Sequence, residues 1–342
     1  MYIPAANIDD LLMRVFDRLL RTKNRVTPTR GGTAEEIGIL LKLSNPRARL
    51  SRTETKGKIF SCLGELVWYL SKSNGLRFIE YYLPHYKENS VNGRSLYGAY
   101  GPRLFTLHGK IDQIANVLDL LRHKPTSRRA VIQLYDGEDL MDRKRKDVPC
   151  TCTLQFLIRN RKLYMVANMR SNDAFWGLPH DIFAFTMLQE IMARSLGVEL
   201  GTYKHMVGSL HLYDKHITKA QRYLEEGWQE TIPMSPMPLG DPWPAIKRLV
   251  KVEARIRGGG KMTEEEMENK GYWADLARLL QVYWHVKNAD GQAIPGIKGK
   301  MSSPVYKPYI QRKQKAKPAS GPPEQLPLGL SGSGNQKRKL RH

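Results

Sequence analysis

The chain has 342 residues, 41% of them hydrophobic, and a formal net charge of +22. That length and apolar content suit one large core or two modest ones. No run approaches the roughly 20 apolar residues of a membrane span and the N-terminus lacks signal-peptide order, so a membrane protein is excluded and a cytoplasmic one expected. Three cysteines (Cys62, Cys150, Cys152) are too few for a disulfide framework, and the positive charge points to an anionic partner: nucleic acid, nucleotide or acidic cofactor.

Asn7 is placed to cap a helix whose apolar positions Ile8, Leu11, Leu12, Val15, Phe16, Leu19 and Leu20 share one face. A Thr/Pro/Gly-rich turn over Thr27–Thr33 leads to "IGILLKL", which suits a strand. "GKIFSCLGELVWYLS" then resumes helical spacing through Ile59, Phe60, Leu63, Leu66, Val67 and Leu70. A helix follows at "IDQIANVLDLLRH" and a strand at "RAVIQLY"; "TLQFLIR" and "KLYMVAN" read as a hairpin turning at Asn160-Arg161. "DIFAFTMLQEIMARSLG" reads as a helix opening on Asp181 and closing at Gly197, and "HLYDKHITKAQRYLEEG" as a helix after a short strand. Strands and helices alternate without repeats, which predicts an α+β domain over residues 1–227.

Beyond Gly227 a proline-rich stretch, a Gly258-Gly259-Gly260 break and a helix near "YWADLARLLQVYWHV", preceded by the capping-box pair Thr263/Glu266, read as a C-terminal extension over 228–310. Residues 311–342 hold eight Lys/Arg against the single Glu324, +7 of the net charge. With few large apolar groups to offset chain ordering, they are expected to form a disordered basic tail and are a candidate nucleic-acid contact.

Two of the three cysteines stand one residue apart in "DVPCTCTLQF". A zinc site needs about four ligands, usually in Cys-x₂₋₄-Cys pairs, so no metal is expected here. On a strand Cys150 and Cys152 would share a face with Thr151 on the other. A buried cysteine is usually a small hydrophobe, which leaves packing and nucleophilic roles open for Cys150.

The surrounding motifs bear on that choice. "PCTCTLQF", "MRSNDAFWGLPHDI" and "HMVGSLHLYDKH" occur in this order, after "GELVWYL", "YGAYG" and "SRRAVIQLY". Across most of residues 8–227 the sequence resembles the thymidylate synthases and their relatives, the deoxypyrimidine hydroxymethylases: a Pro-Cys motif, an Arg-Ser-x-Asp…Gly-Leu-Pro segment and a His-x-x-Gly…His-x-Tyr-x-x-His segment, with a Glu-Leu-x-Trp helix, a Tyr-Gly turn and a paired-arginine strand upstream. The resemblance implies a mixed β-sheet packed with helices, a homodimer through the sheet, and 5,10-methylenetetrahydrofolate as one-carbon donor to a pyrimidine nucleoside monophosphate.

C5 of a uracil or cytosine becomes nucleophilic once a thiolate adds at C6. The resemblance assigns that thiolate to Cys150 and places Arg170 beside it and on the nucleotide phosphate. Arg128 and Arg129 would reach the phosphate from a partner subunit, since guanidinium forks match phosphate geometry, and Ser171 and Arg30 are further phosphate candidates. Glu65, a carboxylate in an apolar helix, would move protons through ordered water, and Tyr100 would assist removal of the C5 proton. His211 and Tyr213 would hold the sugar hydroxyl; Asp173 and Gly177 match folate contacts. Read without the resemblance, Arg170, Arg128 and Arg129 are surface charges, Glu65 a buried acid paired with a base, Tyr100 a turn tyrosine, and His211 and Tyr213 core side chains.

Several positions depart from the synthase pattern. Thr151 stands where synthases carry His, Ser209 for Asp, Met169 for Gln, and Tyr86 or a neighbour where a Trp closes the site. Asp181 stands where synthases have an Asn that reads uracil. A carboxylic acid shared with N3 suits cytosine, with its 4-amino donor and N3 acceptor, and the dCMP hydroxymethylases carry Asp here; as a bare residue it is a helix N-cap. Synthases end in an apolar segment that shuts out water, whereas this sequence ends in "NQKRKLRH", which favours capture of the one-carbon unit by water. The sequence therefore points to hydroxymethylation of dCMP. A divergent thymidylate synthase acting on dUMP and a catalytically lapsed nucleotide- or nucleic-acid-binding protein stay open.

Overall fold

The computed structural model describes residues 1–28, 31–143, 145–260 and 270–315. Arg30, the Thr263/Glu266 pair and residues 316–342 lie outside the described residues.

Helix α1 (Ile8–Arg21) starts where its sequence predicts: Asn7 Oδ1 accepts from the Asp10 backbone N–H at 2.8 Å, and Leu11, Leu12, Val15, Phe16 and Leu19 are buried. Strand β1 (Tyr2–Ala5) lies parallel to β3 (Thr33–Leu43), which also pairs with the two-residue β2 (Arg25–Val26). Beyond it come β4 (Val131–Gln133), β5 (Thr151–Arg159), β6 (Lys162–Asp173) and β7 (Glu199–Tyr213), giving the order β1-β3-β7-β6-β5-β4. The β6/β7 pair is parallel and the β5/β6 and β3/β7 pairs antiparallel, so the sheet is mixed and the fold α+β, as expected.

Two local choices of sequence set this topology. Asn160 and Arg161 both take left-handed φ, 49° and 56°, the two-residue turn whose twist matches a β-hairpin. Parallel strands need a crossover, and α6 (Gly177–Ser195), buried along almost its whole length, carries the chain from β6 to β7. This helix opens at Gly177, one turn before Asp181, because Pro179 needs no amide partner in a first turn. Asp181 is therefore inside the helix and is not its N-cap. Strand β7 runs 15 residues where the sequence reads as a short strand; β3 on one side and β6 on the other keep its whole length hydrogen-bonded.

Helix α2 (Ile59–Leu70) packs over α6 and is buried nearly all round. The C-terminal helices α8 (Trp243–Arg257) and α9 (Tyr272–Lys287) pack against α2, and their Ile246, Leu249, Leu276 and Leu279 join the hydrophobic cluster that holds Leu63 and Trp68. Residues 311–315, read from composition as tail, finish helix α11 (Lys307–Lys315). Tyr309 and Ile310 anchor it in the core, and Tyr309 Oη donates to Ser51 O at 2.9 Å.

Candidate active site

Four elements converge at one end of β5 and β6. Cys150 directly precedes β5, and Arg170 lies opposite on β6, its backbone N–H bound to Cys150 O at 2.9 Å. The Arg170 guanidinium is held by Pro149 O at 2.9 Å and Val148 O at 3.0 Å, which leaves Nη2 3.7 Å from Cys150 Sγ. A fixed cation at that distance favours the thiolate. The sequence puts Cys150 and Cys152 on one face, but a register shift between Thr151 and Thr153 inserts an extra residue into β5. Such a bulge breaks the alternation. Cys150 packs against the core cluster, whereas Cys152 does not, and burial raises the Cys152 thiol above its ordinary range.

Helix α4 (Tyr100–Phe105) begins at Tyr100, whose Oη lies 2.9 Å from Thr151 Oγ1 and accepts from the Thr151 N–H at 3.2 Å. Thr151, at the synthase histidine position, thus holds the phenol beside Cys150. Burial, then Asp181 and Cys150, pushes the Tyr100 hydroxyl well above its usual range, so it stays a phenol.

Glu65 lies mid-α2 and is 5% exposed. Its Oε1 accepts from Tyr69 Oη at 3.0 Å, one turn on, and from Tyr86 Oη at 2.6 Å. Its partners are phenols, not a base, and burial raises its carboxyl above the ordinary range. Tyr86 meets Trp68 edge-on at 5.7 Å, closing this side of the group. Asp181 faces the same group. Burial, then the Glu65 charge, pushes its carboxyl well up, against the lowering effect of Asn172, whose Nδ2 donates to Oδ2 at 2.7 Å.

Gly177 makes that last contact possible: a Cβ there would stand 2.9 Å from Asn172 Nδ2 and 3.4 Å from Asp181 Oδ2. Gly177→Ala is expected to lower kcat/KM more than tenfold while costing less than about 2 kcal/mol of stability. Steady-state kinetics beside thermal unfolding check this; wild-type kcat/KM in the variant would mean that the amide can shift without consequence.

His211 and Tyr213 meet edge to face at 5.1 Å near the end of β7, and His211 pairs in register with Asp173 of β6. Ser171 is half-buried next to Arg170 and pairs with Ser209, whose hydroxyl donates to Glu35 Oε1 of the neighbouring strand. Arg128 and Arg129 do not join the cluster. Phe156 N binds Ala130 O, which sets Arg129 about seven strand residues, roughly 20 Å, from Cys150.

Asp173 Oδ1 accepts from the backbone N–H of Phe175 at 2.8 Å and of Trp176 at 3.3 Å. The Trp176 indole is 39% exposed and donates from Nε1 to His216 Nε2 at 3.0 Å. Burial lowers His216 to about 4, so its proton sits on Nδ1, a buried atom without a partner among the described residues. Lys58, depressed by burial and by Lys219, and Lys313, depressed by burial and by Lys58, form a basic cluster nearby at the start of α2.

Sequence reasoning missed Asn172, His205, Tyr203, Tyr69 and the buried Lys56, whose Nζ donates to Phe175 O and sits over that ring. His205 carried a signal as the first histidine of the His-x-x-Gly motif, and Tyr203 stands two residues before it on the same strand face. Asn172 carried none beyond its place in the Arg-Ser-x-Asp motif.

A thiol beside a fixed cation, two acids raised by burial and a mixed sheet crossed by α6 are the parts that covalent catalysis on an α+β frame requires. The thymidylate synthase family model matches residues 8–239, well over half of the chain, and the chain belongs to that family. It is accordingly a one-carbon transferase acting on a pyrimidine nucleotide, with 5,10-methylenetetrahydrofolate as donor. Among the described residues, no helix is long and apolar enough to cross a membrane.

Proposed function

We propose that the protein hydroxymethylates dCMP at C5 through a covalent Cys150–C6 adduct. The observation that carries this reading is Asp181: a carboxyl group, not an amide, where the synthase pattern has its base-reading Asn, raised by burial and by Glu65 and held by Asn172. An acid kept protonated donates to cytosine N3 and accepts from the 4-amino group.

As the Cys150 thiolate adds to C6, electron density moves toward C5 and N3, and Asp181 supplies a proton at N3. Arg170 stabilises the thiolate before addition and meets the phosphate with Ser171. When bound, the folate supplies the electrophilic one-carbon unit; Asp173, Gly177 and Trp176, with the Lys58 cluster, would hold it. Tyr100, oriented by Thr151, takes part in removing the C5 proton. Glu65, with Tyr69 and Tyr86 on one oxygen, handles protons for a water that enters the product as hydroxyl, a polar arrangement where the synthase pattern has an apolar Trp. His211 and Tyr213 bind the sugar.

The test is incubation with methylenetetrahydrofolate and each of dCMP, CMP and dUMP, with product mass read out. Gain of CH2O on dCMP supports the proposal; gain of CH2 on dUMP makes the protein a divergent thymidylate synthase, and no product at all a lapsed binding protein.

We further propose a homodimer through the sheet in which Arg128 and Arg129 complete the partner's phosphate site. Both are exposed and distant from their own Cys150, and the sheet exposes Ile37, Val131 and Met206. Arg128→Ala is expected to weaken nucleotide affinity, and mixing it with Cys150→Ser subunits at limiting nucleotide to restore some activity in hybrid dimers, where one site has both intact groups. A monomer in sedimentation, or no recovery on mixing, would count against it.

A further inference from the structure

Behind Asp181 runs a buried polar chain that the reaction does not touch. Tyr203 Oη lies 2.7 Å from His205 Nδ1, His205 Nε2 lies 3.0 Å from Asn172 Oδ1, and Asn172 Nδ2 lies 2.7 Å from Asp181 Oδ2. Tyr203, His205 and Asn172 are at most 3% exposed. Three polar side chains sealed this deeply are costly unless each bond is made, and their donors and acceptors must alternate.

The alternation can run only one way. The Tyr203 hydroxyl has no other hydrogen-bond partner among the described residues, so its proton must go to His205 Nδ1. Burial lowers His205 to about 3, so the ring is neutral and its one proton is then on Nε2. Nε2–H donates to Asn172 Oδ1, which turns the Asn172 amide nitrogen toward Asp181. Oδ2 of Asp181 is thereby an acceptor. The proton of a neutral Asp181 carboxyl has only Oδ1 left.

We propose that Tyr203, His205 and Asn172 are positioning residues that fix the polarity of Asp181, Oδ2 accepting and Oδ1 donating, so that the site discriminates between the cytosine and uracil edges. This rests on the reading of Asp181 as the base contact. A carboxyl group free to turn over would serve N3 and the 4-amino group of cytosine in one orientation and N3–H and O4 of uracil in the other. Locking one orientation converts a permissive acid into a selective one.

The test uses the full chain without folate. Calorimetry gives the Kd of dCMP and of dUMP for wild type, Tyr203→Phe and Asn172→Asp, and nitrogen-proton correlation spectra of histidine-labelled protein report the His205 tautomer. The wild type is expected to show the Nε2–H form. Tyr203→Phe, which keeps the ring, should admit the Nδ1–H form and reduce the ratio of the two Kd values about tenfold. Asn172→Asp, which turns a donor toward Asp181 into an acceptor, should move the ratio the same way. Loss of packing alone would weaken both nucleotides equally and leave the ratio in place. An Nδ1–H tautomer in the wild type, or an unchanged ratio in Tyr203→Phe, overturns the proposal. A wild type that binds dUMP more tightly, with the ratio still collapsing in Tyr203→Phe, overturns dCMP as substrate and leaves the relay standing.

Discussion

Cys150→Ser is expected to abolish turnover, by at least about 10⁴-fold, while nucleotide binding stays within a few-fold of wild type. In the proposed site the binding contacts come from Arg170, Ser171, His211 and Tyr213, with Arg128 and Arg129 from the partner subunit, and none of them depends on the sulfur. Arg170 keeps its place without the thiol, because Val148 O and Pro149 O bind its guanidinium independently. A serine hydroxyl beside the same cation stays protonated at neutral pH and does not add to C6. Cys152→Ser provides the control: Cys152 is outside the core cluster and its thiol is raised by burial, so activity within about threefold of wild type is expected. Steady-state rates, beside mass spectra of denatured protein trapped with a 5-fluoropyrimidine nucleotide, distinguish the two. A covalent adduct on Cys152, or an active Cys150→Ser enzyme, would reverse the assignment.

The sequence was most legible where a residue type has one physical use. Asn7 as helix cap, the Asn160-Arg161 turn and the burial of Glu65 follow from local chemistry alone. It was least legible where pairing decides. The extra residue at Cys152 appears only once β5 and β6 are in register, and the full length of β7 only once strands flank it on both sides. Composition misassigned residues 311–315 because three cations hide the anchoring by Tyr309 and Ile310 just upstream. In the site, motif positions identified Cys150, Arg170, Tyr100 and Asp181, which the fold brings together. The groups behind them, Asn172 and Tyr203, act only through geometry, and no spacing rule reports a contact that joins β6, β7 and α6.

Asp181→Asn should shift relative kcat/KM from dCMP toward dUMP by about tenfold or more, since a buried site that hydrogen-bonds its substrate leaves roughly 1–3 kcal/mol of polar groups unpaired with the wrong base. The route of that shift follows from the environment of the residue. A carboxyl group and an amide offer the same pair of one donor and one acceptor, but only the acid can pass its proton to N3 as the thiolate adds to C6. The dCMP reaction therefore loses a step, and its kcat should fall more than its KM rises. A gain on dUMP requires the new amide to present its oxygen to N3–H, which turns its nitrogen toward Asn172 Nδ2, the donor that faces Oδ2 in the wild type. The single substitution is thus carried mainly by loss on dCMP. Adding Tyr203→Phe frees the His205 ring and, through it, the Asn172 amide to turn over, so the double variant should gain on dUMP beyond the sum of the two changes. C5-proton release from both nucleotides under saturating folate measures each term. Unchanged base preference in Asp181→Asn would remove Asp181 from base recognition, and strict additivity in the double variant would disconnect it from Tyr203.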